Sequence, residues 1–262
     1  MPKLCQLFSG SSGNSIFISS GGTKLLVDAG VSAKRLENAL SDIGENAGEL
    51  SAILVTHEHG DHIKGLRVLA SRYDIPVFGD RRVIESLVQT GEITDGMHAE
   101  SVTDNMELGG IEIIPFENSH DSVACLGYRL NMKNERSVSV CTDTGIITDS
   151  ARETIVGSDL VFLESNHEIT MLQNGTYPYN LKIRILSSRG HLSNEACSEF
   201  ARELVNSGTT RIVLSHLSRD NNHPEIARQT TLSALSDAGF KENYDFRLRV
   251  SAPENCERAI VL

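Results

Sequence analysis

Five short apolar runs of this 262-residue chain lead, directly or after a short gap, into a histidine or an aspartate. An apolar run of this length predicts a buried β-strand. A polar residue that follows such a strand lies at the mouth of the sheet, where loops carry chemistry on a rigid scaffold. One such residue is ordinarily a cap or a turn residue. Five together predict a shared site at the strand ends, formed by Asp28, His57, His120, Asp143 and His216.

The order of strand and helix patterns predicts sheets with helices packed outside them. No linker, charge block or low-complexity segment interrupts the chain, and we expect a single domain over residues 1–262. We predict strands at 15–19, 24–27, 52–56, 76–79, 110–116, 124–132, 137–142, 160–164, 210–215 and 247–250. We predict helices at 61–73, 81–89, 194–206 and 224–238.

The composition excludes several classes of protein. A hydrophobic fraction of 39% with 23% charged residues is ordinary for a globular chain. The apolar runs are far shorter than the ~20 residues that a membrane-spanning helix needs, and the N-terminal segment lacks the apolar stretch of a secretory signal. The five cysteines form no C-x-x-C pair, which argues against a disulfide framework and against a thiolate zinc site. We therefore expect a cytoplasmic protein with reduced thiols and no membrane partner.

The densest group of ligand-type residues is the segment THEHGDH, residues 56–62, with three of the nine histidines. His57 and His59 are two positions apart and can face the same way, and Asp61 and His62 follow where a helix begins. Imidazole and carboxylate groups are common ligands of zinc and similar cations. One short segment cannot direct all four side chains onto one ion, but it can serve two neighbouring ions. We predict two divalent ions, zinc or manganese, with iron or nickel also compatible with these ligands.

The H-x-H-x-D-H spacing resembles the signature of the metallo-β-lactamase fold superfamily, and its other motifs follow in order over nearly the whole chain. This resemblance implies an α/β protein built as a four-layer αβ/βα sandwich. It implies two metal sites, one formed by His57, His59 and His120 and the other by Asp61, His62 and His216. It also implies that Asp143 bridges the two ions and that Asp28, in LLVDAG, supports the ligands from behind. An aspartate at position 143 is similar to the phosphodiesterase and nuclease branches of the superfamily.

Further segments are similar to the YycJ/WalJ group, a bacterial branch associated with 5′→3′ DNA exonuclease activity. They are GSSGNS at 10–15, SHDS at 119–122, ESNHE at 164–168, G-x-YPYNLK-x-RI at 175–185, GHLSNE at 190–195 and LSHLSRDNN at 214–222. The GHLS and LSHLS segments also resemble ribonuclease Z, which processes tRNA 3′ ends. That resemblance implies that His191 is a catalytic histidine and Glu164 its carboxylate partner. The long tRNA-gripping arm of ribonuclease Z has no obvious counterpart here, which argues against tRNA as the substrate.

The function implied is that of a dinuclear metal-dependent phosphodiesterase or nuclease, and we expect a DNA exonuclease of 5′→3′ polarity. A hydroxide bridging the two metals is the expected nucleophile, with Asp61 among the catalytic residues as well as the ligands. His191, oriented by Glu164, is the expected general acid, because a nearby carboxylate favours the protonated imidazole. Two alternatives remain open. One is a hydrolase of a cyclic nucleotide, lactone or thioester on the same metal core, and the other is a non-catalytic metal-binding module.

Two segments hold the candidate substrate contacts. Backbone N–H groups of the Ser/Gly-rich loop at 9–15 can cradle an anion, although a plain turn is an equally good interpretation. Basic residues interleaved with tyrosines at 177–189 suit the phosphates and bases of a single strand, and an ordinary surface segment is nearly as good. The predicted substrate-binding residues are Ser12, Asn14, His167, Tyr177, Lys182 and Arg184.

The net charge of −11, from 24 basic and 35 acidic residues, at first argues against a nucleic-acid partner. The acidic residues are unevenly placed, however, and residues 1–27 and 169–194 contain none. These are the two segments with the candidate substrate contacts. We therefore expect the negative charge on the far side of the molecule and a DNA end held at the metals. The oligomeric state stays open.

Overall fold

The computed structural model describes residues 1–104, 106–133, 136–255 and 259–262, and all element boundaries refer to these. The strands are β1 (Lys3–Phe8), β2 (Ser15–Ser20), β3 (Thr23–Val27), β4 (Ala52–Leu54), β5 (Val77–Gly79), β6 (Ala99–Ser101), β7 (Met106–Leu108), β8 (Ile111–Glu117), β9 (Leu126–Met132), β10 (Ser137–Cys141), β11 (Leu160–Glu164), β12 (Arg211–Ser215), β13 (Arg247–Val250) and β14 (Ile260–Val261). The helices are α1 (Ala33–Asp42), α2 (Gly60–Ile63), α3 (Leu66–Tyr73), α4 (Arg81–Gln89), α5 (Asp149–Ile155), α6 (Ile169–Asn174), α7 (Tyr179–Leu186), α8 (Asn194–Asn206) and α9 (Pro224–Asp237).

The strands form two mixed sheets with the same pattern of pairing. The first has the order β14-β1-β2-β3-β4-β5-β6 and the second the order β13-β12-β11-β10-β9-β8-β7. In the first sheet the pairing is antiparallel up to β3 and parallel beyond it. In the second sheet it is antiparallel from β7 to β10 and parallel from β10 to β13. Each sheet therefore gathers the carboxyl ends of several parallel strands at one edge.

Successive residues of the central strands enter different hydrophobic cores, because strand side chains alternate between the two faces of a sheet. Leu25 of β3 packs between the two sheets, whereas Leu26 faces helices α1 and α3. Phe162 of β11 packs between the sheets, whereas Val161 faces α8 and α9. The layers thus run helix, sheet, sheet, helix, which confirms the four-layer αβ/βα sandwich.

Three residues that directly or closely follow parallel strands have a left-handed backbone. The φ angles are 63° at Asp28, 60° at Asp143 and 58° at His216. A positive φ is uncommon outside glycine, and such strain concentrates at functional sites. Asp28 and Asp143 also occupy matching places, since β3 and β10 are the strands at which antiparallel pairing gives way to parallel pairing. The two sheets therefore present equivalent aspartates at a shared edge.

The predicted helix at 61–73 is wrong in one respect, since the structure divides it into α2 and α3. The break lies at Gly65, whose N–H donates to Ala29 O at 2.8 Å. A Cβ at Gly65 would lie 2.2 Å from Val31 O, so this position packs directly against the loop after β3. Contact with that loop overrides the helical periodicity. Within the described residues, no helix is both long and apolar enough to cross a membrane.

Candidate metal centre

The structure brings the seven predicted metal ligands together at the shared edge of the two sheets. Their ligand atoms fall into overlapping groups in which all atoms lie within 4.8 Å of one another. These groups are His57–His59–His120, Asp61–His62–His216 and His57–His62–Asp143. We name the first the three-histidine cluster and the second the Asp61 cluster. Residues up to 159 positions apart in the sequence (His57 and His216) are thus placed side by side.

Hydrogen bonds assign the ring nitrogens of two members of the three-histidine cluster, His57 and His120. His57 Nε2 and His59 Nδ1 lie 3.0 Å apart. His120 donates from Nδ1 to Gly190 O at 3.0 Å, which leaves Nε2 as its ligand atom. His57 Nδ1 lies 3.0 Å from Thr56 Oγ1 and donates to it, because that hydroxyl donates to Asp28. Bonds of this kind fix the tautomer of metal-binding histidines, so three nitrogens remain for one ion.

Asp28 and Asn14 support the Asp61 cluster. Asp28 Oδ2 accepts from His62 Nδ1 at 2.7 Å, and its Oδ1 accepts from Thr56 N at 2.8 Å. Asp28 thus lies behind His62, where the family resemblance implies a supporting residue. Asn14 Nδ2 lies 3.3 Å from Asp61 Oδ2 and 3.0 Å from His62 Nε2. Both side chains are buried, and their contacts hold Asp61 and His62 in place.

Asp143 lies between the two clusters, and its Oδ1 also lies 3.5 Å from His216 Nδ1 of the Asp61 cluster. Its Oδ2 is 3.3 Å from His62 Nε2, and its Oδ1 is 3.9 Å from His120 Nε2. The side chain is buried, with 2% of its surface exposed. A carboxylate in this position can share its oxygens between two neighbouring cations.

Two buried polar atoms of the centre have no hydrogen-bond partner, namely His216 Nε2 and Asp143 Oδ2. Buried polar atoms in proteins are ordinarily partnered. His216 Nε2 lies 3.8 Å from Asp61 Oδ2, and Asp143 Oδ2 lies 3.3 Å from His62 Nε2. Imidazole nitrogens and carboxylate oxygens are the ligands that zinc and manganese prefer. The residues present therefore fit a pair of divalent ions.

The charges of the centre shift the pKa values of its histidines in different directions. Burial lowers the pKa of His57, and the neighbouring histidines lower it further. Burial also opposes a charge on His62, but the carboxylates of Asp143 and Asp28 outweigh it and raise the pKa of His62 to about 9. His216 follows the same pattern, with its pKa raised by Asp143, Asp61 and Glu164 against the effect of burial. Without metal, protons on His62 and His216 partly balance the buried carboxylates.

Glu164 orients two histidines at once. Its Oε1 lies 2.8 Å from His191 Nδ1 and 2.8 Å from His216 Nδ1, while Oε2 accepts from Thr144 N at 2.8 Å. Burial would raise the pKa of Glu164, but contact with the two histidines holds it well below its usual range. Distances alone also admit an ion among Asp143, Glu164, His191 and His216. We favour the two clusters above, because the Nδ1 atoms of both histidines already pair with Glu164.

A cleft of about 240 Å³ opens over the metal centre. Of the predicted substrate-binding residues, Tyr177 and Arg184 line it, together with His191 and five of the predicted ligands. Ser12 is exposed next to Ser11, which lines the cleft, and its hydroxyl accepts from Arg219 Nη2 at 2.9 Å. These residues are placed where a substrate can reach them.

The other predicted substrate contacts do not line this cleft. Asn14 is buried against Asp61 and His62, as described above. His167 is buried at 2% exposure, and burial lowers its pKa to about 4. Lys182 Nζ donates to Gln173 O at 2.8 Å and Gly175 O at 2.6 Å, which occupies it at the end of α6.

Sequence reasoning missed several residues that position the ligands. Arg189 donates from Nε and Nη2 to His120 O at 3.2 and 3.1 Å. Gly190 supplies the carbonyl that fixes the ring of His120, and Thr56 contacts three members of the centre. Asp121 lines the cleft directly after His120. The SHDS segment offered a signal for Asp121, and the basic segment at 177–189 includes Arg189 without showing its contact with His120 O. Gly190 and Thr56 act through a carbonyl and a hydroxyl, for which the sequence offered no signal.

Comparison with known proteins agrees with the fold and the centre. The family model described as the beta-lactamase superfamily domain matches residues 23–217, which contain all seven predicted ligands. The exodeoxyribonuclease YycJ of Bacillus anthracis is 39% identical over 252 residues, covering 95% of this chain and 94% of the relative. The exodeoxyribonuclease WalJ of Streptococcus pneumoniae is 36% identical over 256 residues, covering 96% and 95%.

A more distant relative and a solved structure are also similar to this chain. A ribonuclease Z of Clostridioides difficile is 30% identical over 141 residues, which is 46% of this chain and 44% of the relative. Among solved structures, the metallo-beta-lactamase fold protein YhfI from Bacillus subtilis superimposes with a TM-score of 0.71 at 19% identity, covering 97% of this chain and 98% of YhfI. The chain belongs to the beta-lactamase superfamily and, within it, to the group that contains YycJ and WalJ.

Proposed function

We propose that this metal-dependent hydrolase is a phosphodiesterase that degrades DNA from its ends with 5′→3′ polarity. The observation that carries the proposal is Asp143, a buried carboxylate that lies close to ligands of both clusters at the base of an open cleft. The names of the relatives, exodeoxyribonuclease in both cases, support DNA as the substrate. The proposal includes zinc or manganese as the ions, with iron or nickel as alternatives, and a cytoplasmic location.

Seven side chains would hold the two ions: His57, His59 and His120 for one, Asp61, His62 and His216 for the other, and Asp143 for both. Two divalent ions in these places would lower the pKa of a water shared between them and draw charge from the phosphate oxygens. The chain's own part is to fix the ligand atoms. Asp28, Thr56, Glu164 and Gly190 do so through the hydrogen bonds described above.

His191 is the proposed general acid. Hydrolysis of a phosphodiester forms a bond from the water oxygen to phosphorus and breaks the bond to the sugar oxygen, which must gain a proton. His191 lines the cleft and is partly exposed, with 20% of its side chain accessible. Its Nδ1 is held by Glu164, so Nε2 is the nitrogen free to carry the transferred proton. A general acid of this kind typically contributes ~10²–10⁴ to the rate.

The residues that line the cleft favour binding of the end of a DNA strand over binding along a long duplex. Ser11, Tyr177 and Arg184 line the cleft and come from the two segments that contain no acidic residue. A tyrosine ring can stack on a base and a guanidinium can bind a phosphate. No extended basic surface is needed for such an end contact, which reconciles a DNA substrate with a net charge of −11.

A nuclease assay on end-labelled DNA, with zinc or manganese, tests the proposal. Duplexes labelled at the 5′ or 3′ end, with and without a 5′-phosphate, should be shortened progressively from the 5′ end. Shortening from the 3′ end would contradict the polarity. Intact DNA beside rapid hydrolysis of bis(p-nitrophenyl) phosphate, a lactone or a thioester would contradict the DNA substrate. If the protein turns over none of these substrates with any divalent ion, the enzyme proposal is contradicted and the centre is a non-catalytic metal-binding site.

A further inference from the structure

Asp121 connects the metal centre to helix α7. It directly follows His120, and its Oδ2 accepts a hydrogen bond from Arg184 Nε. Its Oδ1 is buried, has no hydrogen-bond partner and lies 3.4 Å from His120 Nε2. The carboxylate is thus held between a predicted ligand and an arginine.

The loop that holds Asp121 is fixed to the segment that holds Arg184 at further points. Arg189 donates to His120 O, and Gly190 O accepts from His120 Nδ1. Ser187 O and Ser188 O lie within 2.5 Å of where a Cβ at Gly145 would be, so this segment also packs tightly against the loop after β10. These contacts therefore fix the segment that holds Arg184 relative to the metal centre.

The Arg184 guanidinium has donors to spare. A guanidinium carries five N–H donors, and the hydrogen bond to Asp121 uses the one on Nε. Arg184 lines the cleft with 53% of its side chain exposed. That hydrogen bond leaves the four N–H donors of the two terminal Nη groups. A pair of guanidinium N–H groups can bind two phosphate oxygens side by side.

We propose that Arg184, oriented by Asp121, binds a phosphate of the substrate strand next to the phosphate that is hydrolysed. The contact selects a polynucleotide over a diester that has only one phosphate. Asp121 is a positioning residue here, since it acts through Arg184. This inference rests on the proposed function, because it concerns the substrate of the same cleft.

A purely structural ion pair is a poor alternative. Partly exposed ion pairs contribute little to stability, because water screens them and side-chain entropy opposes them. The loop and the segment are already joined by Arg189 and Gly190 without this pair. The Asp121–Arg184 contact is thus not required to hold the two together, whereas it does fix the direction of the guanidinium.

The test compares two substrates on the metal-loaded full chain. The variants are Arg184→Ala, Arg184→Lys and Asp121→Asn, with Arg202→Ala as the matched control, since Arg202 is exposed on α8 and does not line the cleft. Losing a charge-assisted contact to phosphate should lower kcat/KM for a 5′-phosphorylated oligonucleotide by about 10- to 100-fold. The loss should appear mainly in KM, with Arg184→Lys recovering part of it. Hydrolysis of bis(p-nitrophenyl) phosphate should stay within about threefold, because that diester has no second phosphate.

Metal content and oligonucleotide binding separate the possible results. Each variant should retain the wild-type metal content, and Arg184→Ala should bind a phosphorothioate oligonucleotide at least about tenfold more weakly by fluorescence anisotropy. An equal loss of kcat/KM on both substrates would overturn the inference, because it would place the effect at the metal centre. A loss of metal from Asp121→Asn would overturn it for the same reason. Unchanged oligonucleotide binding and cleavage would also overturn it. A wild-type protein that binds the oligonucleotide but never cleaves it would instead contradict the proposed function, while the binding comparison still decides the role of Arg184.

Discussion

His191 Nδ1 lies 2.8 Å from Glu164 Oε1, and the same oxygen lies 2.8 Å from Nδ1 of His216, a predicted ligand. One buried carboxylate therefore orients the proposed acid and one side of the metal centre. The two functions can be separated by substitution, because His191 itself lies outside the two ligand clusters that we favour.

His191→Ala should lose turnover and keep both metals. Removing a general acid should lower kcat for DNA by ~10²–10⁴-fold. Metal content by elemental analysis should equal that of the wild type, and His98→Ala, an exposed histidine, should behave as the wild type in both measurements. Glu164→Gln should lower both turnover and metal affinity, since it disturbs His191 and His216 together. Full activity of His191→Ala would show that another group protonates the leaving oxygen.

Asp143→Ala should lose metal and activity together. Its carboxylate lies close to both clusters, and removal leaves His62 Nε2 and His120 Nε2 without the carboxylate that lies 3.3 and 3.9 Å from them. Five histidine rings would then face two dications with less compensating charge. Elemental analysis after dialysis against metal-free buffer should show fewer than two ions per chain. Retention of two ions with normal turnover would contradict a bridging role.

Asp28→Asn should weaken metal binding without removing a ligand. The amide keeps the size of the side chain but loses the charge that faces His62 Nδ1 at 2.7 Å. Substitutions of such supporting groups typically cost ~10–100-fold in metal affinity. Competition with a fluorescent chelator measures this loss, and excess metal should restore most of the turnover. Turnover that excess metal does not restore would place Asp28 in the chemical step instead.

The residues of the two clusters could be picked out from the sequence because each follows a strand or sits in the H-x-H-x-D-H segment, both of which are local patterns, and the family resemblance divided them into two predicted metal sites. The four-layer fold was implied by the family resemblance. The predicted strands did not include β1, β6, β7 and β14, and the last three have only two or three residues each. Asp121 and Arg184 meet only because α7 packs over the loop after β8, at a separation of 63 residues. Asn14 and Lys182 carry suitable groups for a substrate, but tertiary contacts direct them elsewhere.

Metal binding should release protons near neutral pH. In the metal-free protein, Asp143 and Asp28 raise the pKa of His62 to about 9, so this ring is protonated at pH 7. Metal must displace that proton, because a ligand nitrogen needs a free lone pair. Apparent affinity should therefore rise with pH and level off above about 9. Calorimetric titration of the metal-free protein in buffers of different ionisation enthalpy measures the released protons, and an enthalpy independent of buffer would contradict the prediction.

Gly30→Ala should destabilise the fold around the Asp61 cluster. A Cβ at Gly30 would lie 1.8 Å from Asp61 O and 2.4 Å from Asn14 N, and Gly30 N already donates to Asn14 O at 2.9 Å. The backbone must move apart there, at a cost of about 1–3 kcal/mol or more, equivalent to several degrees in Tm for a chain of this size. Gly60→Ala is the matched control, since an added Cβ there meets nothing within 4 Å. Differential scanning calorimetry on metal-free protein should show a lower Tm for Gly30→Ala alone, and equal Tm values for the two variants would contradict the close approach of these loops.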